Sequence, residues 1–117
     1  LLHTALPSPL GYHRDELLYL ALGRRPDWGY WSNPPVVGAL SWFSQTVFGD
    51  SEWATRLLPA LAGTLLTFLV LRITALMGGG LRAQTVAGTA MLASAAWQRA
   101  FYMFQPVPFD ILVWGAL

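Results

Sequence analysis

The sequence predicts an all-α, polytopic integral membrane protein, on three observations. Apolar residues make up 55% of the 117 positions and charged residues 11%, against roughly 45–50% and about 25% in soluble domains, and mean hydropathy is +0.45. Two apolar stretches, at about 57–78 and 83–104, are each long enough to cross a hydrocarbon layer of about 30 Å at about 1.5 Å per residue. Between Gly11 and Gly49 the chain is too polar to span and too apolar to float free, which suits the lipid–water boundary.

Taken in order, residues 1–10 read as the end of an earlier transmembrane helix, although Pro7 and Pro9 interrupt it. A short helix follows from about His13 to Leu22, where Asp15, Leu18, Tyr19 and Leu22 keep the i, i+3, i+4, i+7 spacing and Gly23 stops it. Asp15 and Glu16 fall in its first turn, where carboxylates meet the positive end of the helix dipole. Asn33 reads as the N-cap and Pro34 as the first residue of a second helix that runs to Phe48 and stops at Gly49. That helix has no charged residue, so it is expected to lie in or on the interface with its Trp at headgroup depth.

The first clear span belongs to the segment 51–78. Gly49 ends the preceding element, Asp50 or Ser51 caps, and Glu52 favours the helix N-terminus. Arg72 interrupts the apolar run near its end, from where a guanidinium snorkels to the interface. A glycine-rich turn occupies 79–82, after Gly78. The second span, 83–104, is rich in Ala, Gly and Ser, which let neighbouring helices approach closely. Residues 105–109 form a short loop around Pro106 and Pro108, and 110–117 begin a further transmembrane helix. The chain opens on Leu1 and stops inside an apolar run, so it is expected to be a piece of a longer protein.

Composition also narrows function. Seven arginines, no lysine and six acids leave a net charge of +1 and no basic patch for nucleic acid. With no cysteine, disulfides and thiolate metal sites are excluded in these residues. The informative pair is Asp15-Glu16, because adjacent carboxylates are expensive near a bilayer and a chain that keeps them there uses them. The bland alternative is a capped surface helix whose acids are merely solvated. His13 does not share their helical face, so a metal site with them is not expected, and two neighbouring carboxylates are insufficient ligands for a closed one.

Four short motifs, in order, carry a family resemblance: 11–17 (GYHRDEL), Asp27-Trp28-Gly29-Tyr30 with Asn33-Pro34-Pro35, Phe48-Gly49-Asp50-Ser51, and 56–63 (RLLPALAG). Together they resemble the N-terminal part of the dolichyl-phosphate-mannose protein mannosyltransferase-like family, which is glycosyltransferase family 39 with its bacterial aminoarabinose-transferase-like relatives. The resemblance implies a C-type glycosyltransferase fold, with two juxtamembrane helices in a first extracytoplasmic loop and the glycine turn on the cytoplasmic side. It implies a multi-pass enzyme of the cell membrane that moves a sugar from a polyprenyl-phosphate carrier to a protein, glycan or lipid acceptor, and a piece this short is expected to be inactive alone. No cofactor is called for, and a divalent metal is left open.

By residue matching, Asp15 falls on the family's first-loop aspartate, with the role of general base or acceptor orienter, and Glu16 on the second acid, in a supporting role. Arginine binds phosphate oxygens in a bidentate fork, which makes Arg14 and Arg56, with Arg24 and Arg25 behind them, candidates for the leaving phosphate. Asn33 stands where many relatives carry an acid, lysine or histidine before the Pro-Pro pair, and is either a helix cap or a substrate contact. Asp110 reads as a second acid at the extracytoplasmic mouth, or as an N-cap or partner of Arg99. Two other classes stay open: a transporter subunit, which would place its acids inside spans, and a non-catalytic membrane scaffold.

Overall fold

The computed structural model describes residues 11–31 and 33–117. Helix covers 75% of it with no strand among the described residues, which settles the all-α class. The expected helix at 1–10 lies outside the described residues. Six helices follow in chain order: α1 (Arg14–Gly23), α2 (Pro35–Phe48), α3 (Glu52–Leu76), α4 (Leu81–Ala93), α5 (Ala95–Ala100) and α6 (Pro106–Ala116). Helix α3 is the axis: α4 and α6 pack along it, α2 crosses its N-terminal part, and α1 lies against α2.

Local chemistry sets most boundaries. His13 caps α1 while the Glu16 carboxylate reaches back to accept the His13 backbone N–H at 2.8 Å, a reciprocal box that satisfies donors otherwise orphaned. Helix α2 starts one residue later than the sequence suggests. Pro34 is the extended N-cap and Pro35 the first helical residue, while Asn33 pairs its backbone reciprocally with Tyr30 at 3.3 Å. The cap role expected for Asn33 therefore does not hold: it sits in the tight turn ahead of the helix. At the other end Gly49 adopts φ 81°, a conformation that side-chain-bearing residues rarely reach.

Helix α3, with its 25 residues, is the one described helix long and apolar enough to cross a membrane. Ser51 Oγ caps it by accepting the Ala54 N–H at 3.1 Å. Hydroxyls within it return to the carbonyl one turn back, Thr64 to Ala60 and Thr67 to Gly63, both at 2.8 Å, so they bring no unsatisfied polar group into apolar surroundings. The turn after it is a Schellman motif: Gly79 N–H bonds the Thr74 carbonyl at 2.9 Å and Gly78 N–H that of Ala75 at 3.0 Å, with Gly78 at φ 85°.

The expected continuous span at 83–104 is broken. Ser94 leaves the helix with ψ 115°, and its Oγ caps the six-residue α5 by accepting the Trp97 N–H at 3.3 Å. The break has a packing reason. It sets Phe101 on Gly63 of α3, where even a Cβ would lie 2.9 Å from the ring, while Trp97, one turn earlier, meets the Phe101 ring at 4.4 Å with the planes tilted by 40°. Phe101, Ala62 and Leu66 form the buried apolar cluster, with Phe109 and Leu112 of α6 against it. Helix α6 starts at Pro106, earlier than the expected 110, because proline is well suited to the first helical position, where an N–H would be unpaired anyway.

The α1–α2 seam is tight and polar. A Cβ added at Gly23 would run into Ser41 Oγ, and one at Gly38 into the Tyr30 ring. That ring cannot yield easily. Its hydroxyl lies 2.9 Å from the Leu22 carbonyl and 3.0 Å from that of Arg25 as donor, and accepts the Asp27 N–H at 3.1 Å. Gly38→Ala gains about 1 kcal/mol of helix propensity, but the clash costs about 1–3 kcal/mol. The variant is expected to melt below the parent in detergent, by circular dichroism; an equal or higher melting temperature would show that the seam is looser than described.

Candidate functional site

The two acids singled out in the sequence meet opposite fates. Asp15 is the second residue of α1, and its side chain keeps 49% of its accessible surface. Glu16, one step round the helix, is fully buried. A 100° turn per residue points neighbouring side chains apart, so one faces out and the other is driven against α3.

Glu16 closes a buried cluster. Its Oε1 accepts from Arg56 Nε at 3.3 Å and from the Phe104 backbone N–H at 3.2 Å, and its Oε2 from Arg56 Nη2 at 3.2 Å and from the His13 N–H at 2.8 Å. The fork-to-carboxylate match is the bidentate geometry that only arginine supplies. Arg56 is 3% exposed. It also donates to the Tyr102 hydroxyl at 2.8 Å and to the Gly11 carbonyl at 3.2 Å, and its guanidinium carbon lies 4.4 Å from the centre of the Tyr102 ring. Glu52, four residues earlier on α3, brings Oε1 within 2.6 Å of Nη1, off the N–H direction, so that oxygen makes an ion contact without an aligned hydrogen bond. Two carboxylates facing one guanidinium leave a formal surplus of one negative charge.

This cluster ties three parts of the chain together: the α1 N-terminus, the first turns of α3 and the loop between α5 and α6. A cleft of about 330 Å³ opens beside it, lined by Gly11, Tyr12, His13, Arg14, Glu16, Arg56, Tyr102 and Met103. Asp15 does not line the cleft; its half-exposed side chain faces outward beside two residues that do. His13 Nδ1 accepts the Asp15 N–H at 3.4 Å and lies 3.7 Å from the Asp15 carboxylate, while Arg14 Nε lies 3.8 Å from its other oxygen. Arg14 itself is 95% exposed. Burial, and then the Asp15 carboxylate, push the Tyr19 phenol above its ordinary 10.0, so it stays neutral at physiological pH.

The remaining sequence candidates lie apart. Asn33, in the turn before α2, does not line the cleft, nor does Asp110, which is exposed on α6. Among the described residues Asp110 makes no ion pair, and the Arg99 partnership raised for it does not form. Arg24 lies 3.8 Å from Asp50 across the α1–α3 boundary, both side chains largely exposed. Among the described residues no three of His, Asp and Glu converge on one point. Tyr102 and Glu52 were not singled out as site residues from the sequence. The i, i+4 spacing of Glu52 and Arg56 is a legible signal, whereas nothing local marks Tyr102. No protein-family model, curated protein or solved structure matches the chain.

Proposed function

We propose that the chain belongs to a membrane-embedded glycosyltransferase that moves a sugar from a polyprenyl-phosphate carrier to an acceptor hydroxyl at the outer face of the membrane, with Asp15 as the general base. One observation carries the reading: an accessible carboxylate, flanked in sequence by Arg14 and Glu16 of the cleft wall, is held by a neighbour that is itself immobilised. Fixing Glu16 by four hydrogen bonds fixes the helix turn that presents Asp15, which is the preorganisation a base needs.

In the proposed step Asp15 takes the acceptor hydroxyl proton as the oxygen attacks the anomeric carbon. The bond from that carbon to the carrier phosphate breaks, and its electron pair leaves with the phosphate. Glu16 is then a positioning residue and not a catalytic one, since no substrate atom reaches a carboxylate with no exposed surface. Arg56 is likewise a positioning residue: its charge is already outnumbered by Glu16 and Glu52, so the cluster repels a leaving phosphate. Arg14, exposed on the cleft wall, is the better phosphate contact, with a single weak tie to Asp15.

The membrane setting has physical support in the apolar α3, most of whose surface faces outward: only 28% of its most apolar window is buried. The test is transfer from a polyprenyl-phosphate sugar in membranes carrying Asp15→Asn, with insertion checked in parallel. Loss of transfer with normal insertion is expected.

A further inference from the structure

Asp110 is the only acid in the sequence after Glu52. It lies past the first turn of α6, so it neither caps the helix nor sits at the positive end of its dipole. Among the described residues no cation pairs with it. At about 100° per residue, Val107, Val113, Trp114 and Leu117 all fall within about 60° of Asp110 on the helix surface. All four are exposed, Trp114 at 72%. The opposite side of α6 is the core side, with Pro108 buried and Leu112 packed on the cluster of Ala62, Leu66 and Phe101. A single carboxylate therefore stands in the middle of an outward apolar stripe, on a helix with no other charged residue.

We infer that the outer face of α6 docks an apolar membrane-spanning helix that carries one arginine or lysine, with that cation seated on Asp110. Each other neighbour leaves one part of the stripe unmatched. Water suits the carboxylate but not the side chains around it, since a helix that is apolar on both sides packs in hydrocarbon or against other helices. Lipid suits those side chains but not the carboxylate, because acids in spanning segments face other helices or a water-filled cavity and pair there. A second copy laid face to face across a two-fold axis would bring Asp110 against Asp110. A helix with a single cation matches both parts: its aliphatic surface covers Val107, Val113 and Trp114, and its charge meets the carboxylate where a low dielectric strengthens the pair.

The inference rests on the membrane reading of the proposed function and not on the transfer chemistry. Because the chain has no cysteine, Phe68→Cys, on the exposed surface of α3, takes a single environment-sensitive fluorophore away from the docking face. The labelled chain is placed in phosphatidylcholine vesicles with acceptor-labelled Leu-Ala helices of about twenty residues, which carry Arg, Leu or Glu about one turn inside one end. Energy transfer to the Arg helix is expected at a peptide-to-lipid ratio about tenfold lower than to the Leu helix. Asp110→Leu is expected to abolish that preference, and Asp110→Arg to move it to the Glu helix; neither removes a contact within the fold. Equal transfer to the Arg and Leu helices, or a preference for Arg that survives Asp110→Leu, overturns the inference and leaves the span intact. Transfer between two differently labelled copies of the chain that outcompetes the Arg helix means a second copy covers the face, which also overturns it. Water-like emission from the label at 68 removes the membrane reading and the inference together.

Discussion

Arg56→Met is expected to destabilise the fold by about 3–5 kcal/mol, the usual cost of removing one partner of a buried ion pair. The size follows from what is left behind. Glu16 stays fully buried with only two backbone donors, from His13 and Phe104, and Glu52 loses its cation. Methionine keeps most of the side-chain volume, so the loss reads electrostatics more than a cavity. Glu16→Gln with Arg56→Met is expected to recover a large part of it, because a neutral amide carries no charge to strand. A double-mutant cycle on detergent-solubilised protein, followed by circular dichroism, gives the coupling energy. A cycle that closes to within a few tenths of a kcal/mol would show that the two side chains do not support each other.

That cluster also marks where sequence reasoning stops. Much of α1 and α3 was legible because local chemistry writes their ends: Ser51 and the glycines after α3 are caps or stops whatever the rest of the chain does, whereas Gly23 stays helical and Arg24 is the C-cap of α1. The break at Ser94 was not. Serine among alanines keeps the helical pattern intact, and only the seating of Phe101 on Gly63, from another helix, decides that the chain turns there. In the same way Asp15-Glu16 stood out by composition, yet nothing local says which acid faces out. The partner that decides it, Arg56, is 40 residues away. The Asn33 cap failed by a single residue, because either proline of the Pro34-Pro35 pair is compatible with opening a helix.

The second large effect is catalytic. If Asp15 takes the acceptor proton, Asp15→Asn removes a positioned base and lowers transfer by about 10²–10⁴-fold. The fold is expected to be nearly unchanged, since a half-exposed side chain makes only long contacts of 3.7 and 3.8 Å to His13 and Arg14. Glu16→Gln separates the roles. It keeps the shape of the buried side chain but weakens its hold on Arg56, so it is expected to lower stability and transfer together, where Asp15→Asn lowers transfer alone.

The most direct test measures sugar transfer from a polyprenyl-phosphate donor and thermal stability side by side for Asp15→Asn in membranes carrying the protein. Transfer lost at unchanged melting temperature and normal insertion is the expected result; transfer at the parental rate would contradict the assignment of Asp15 as the base.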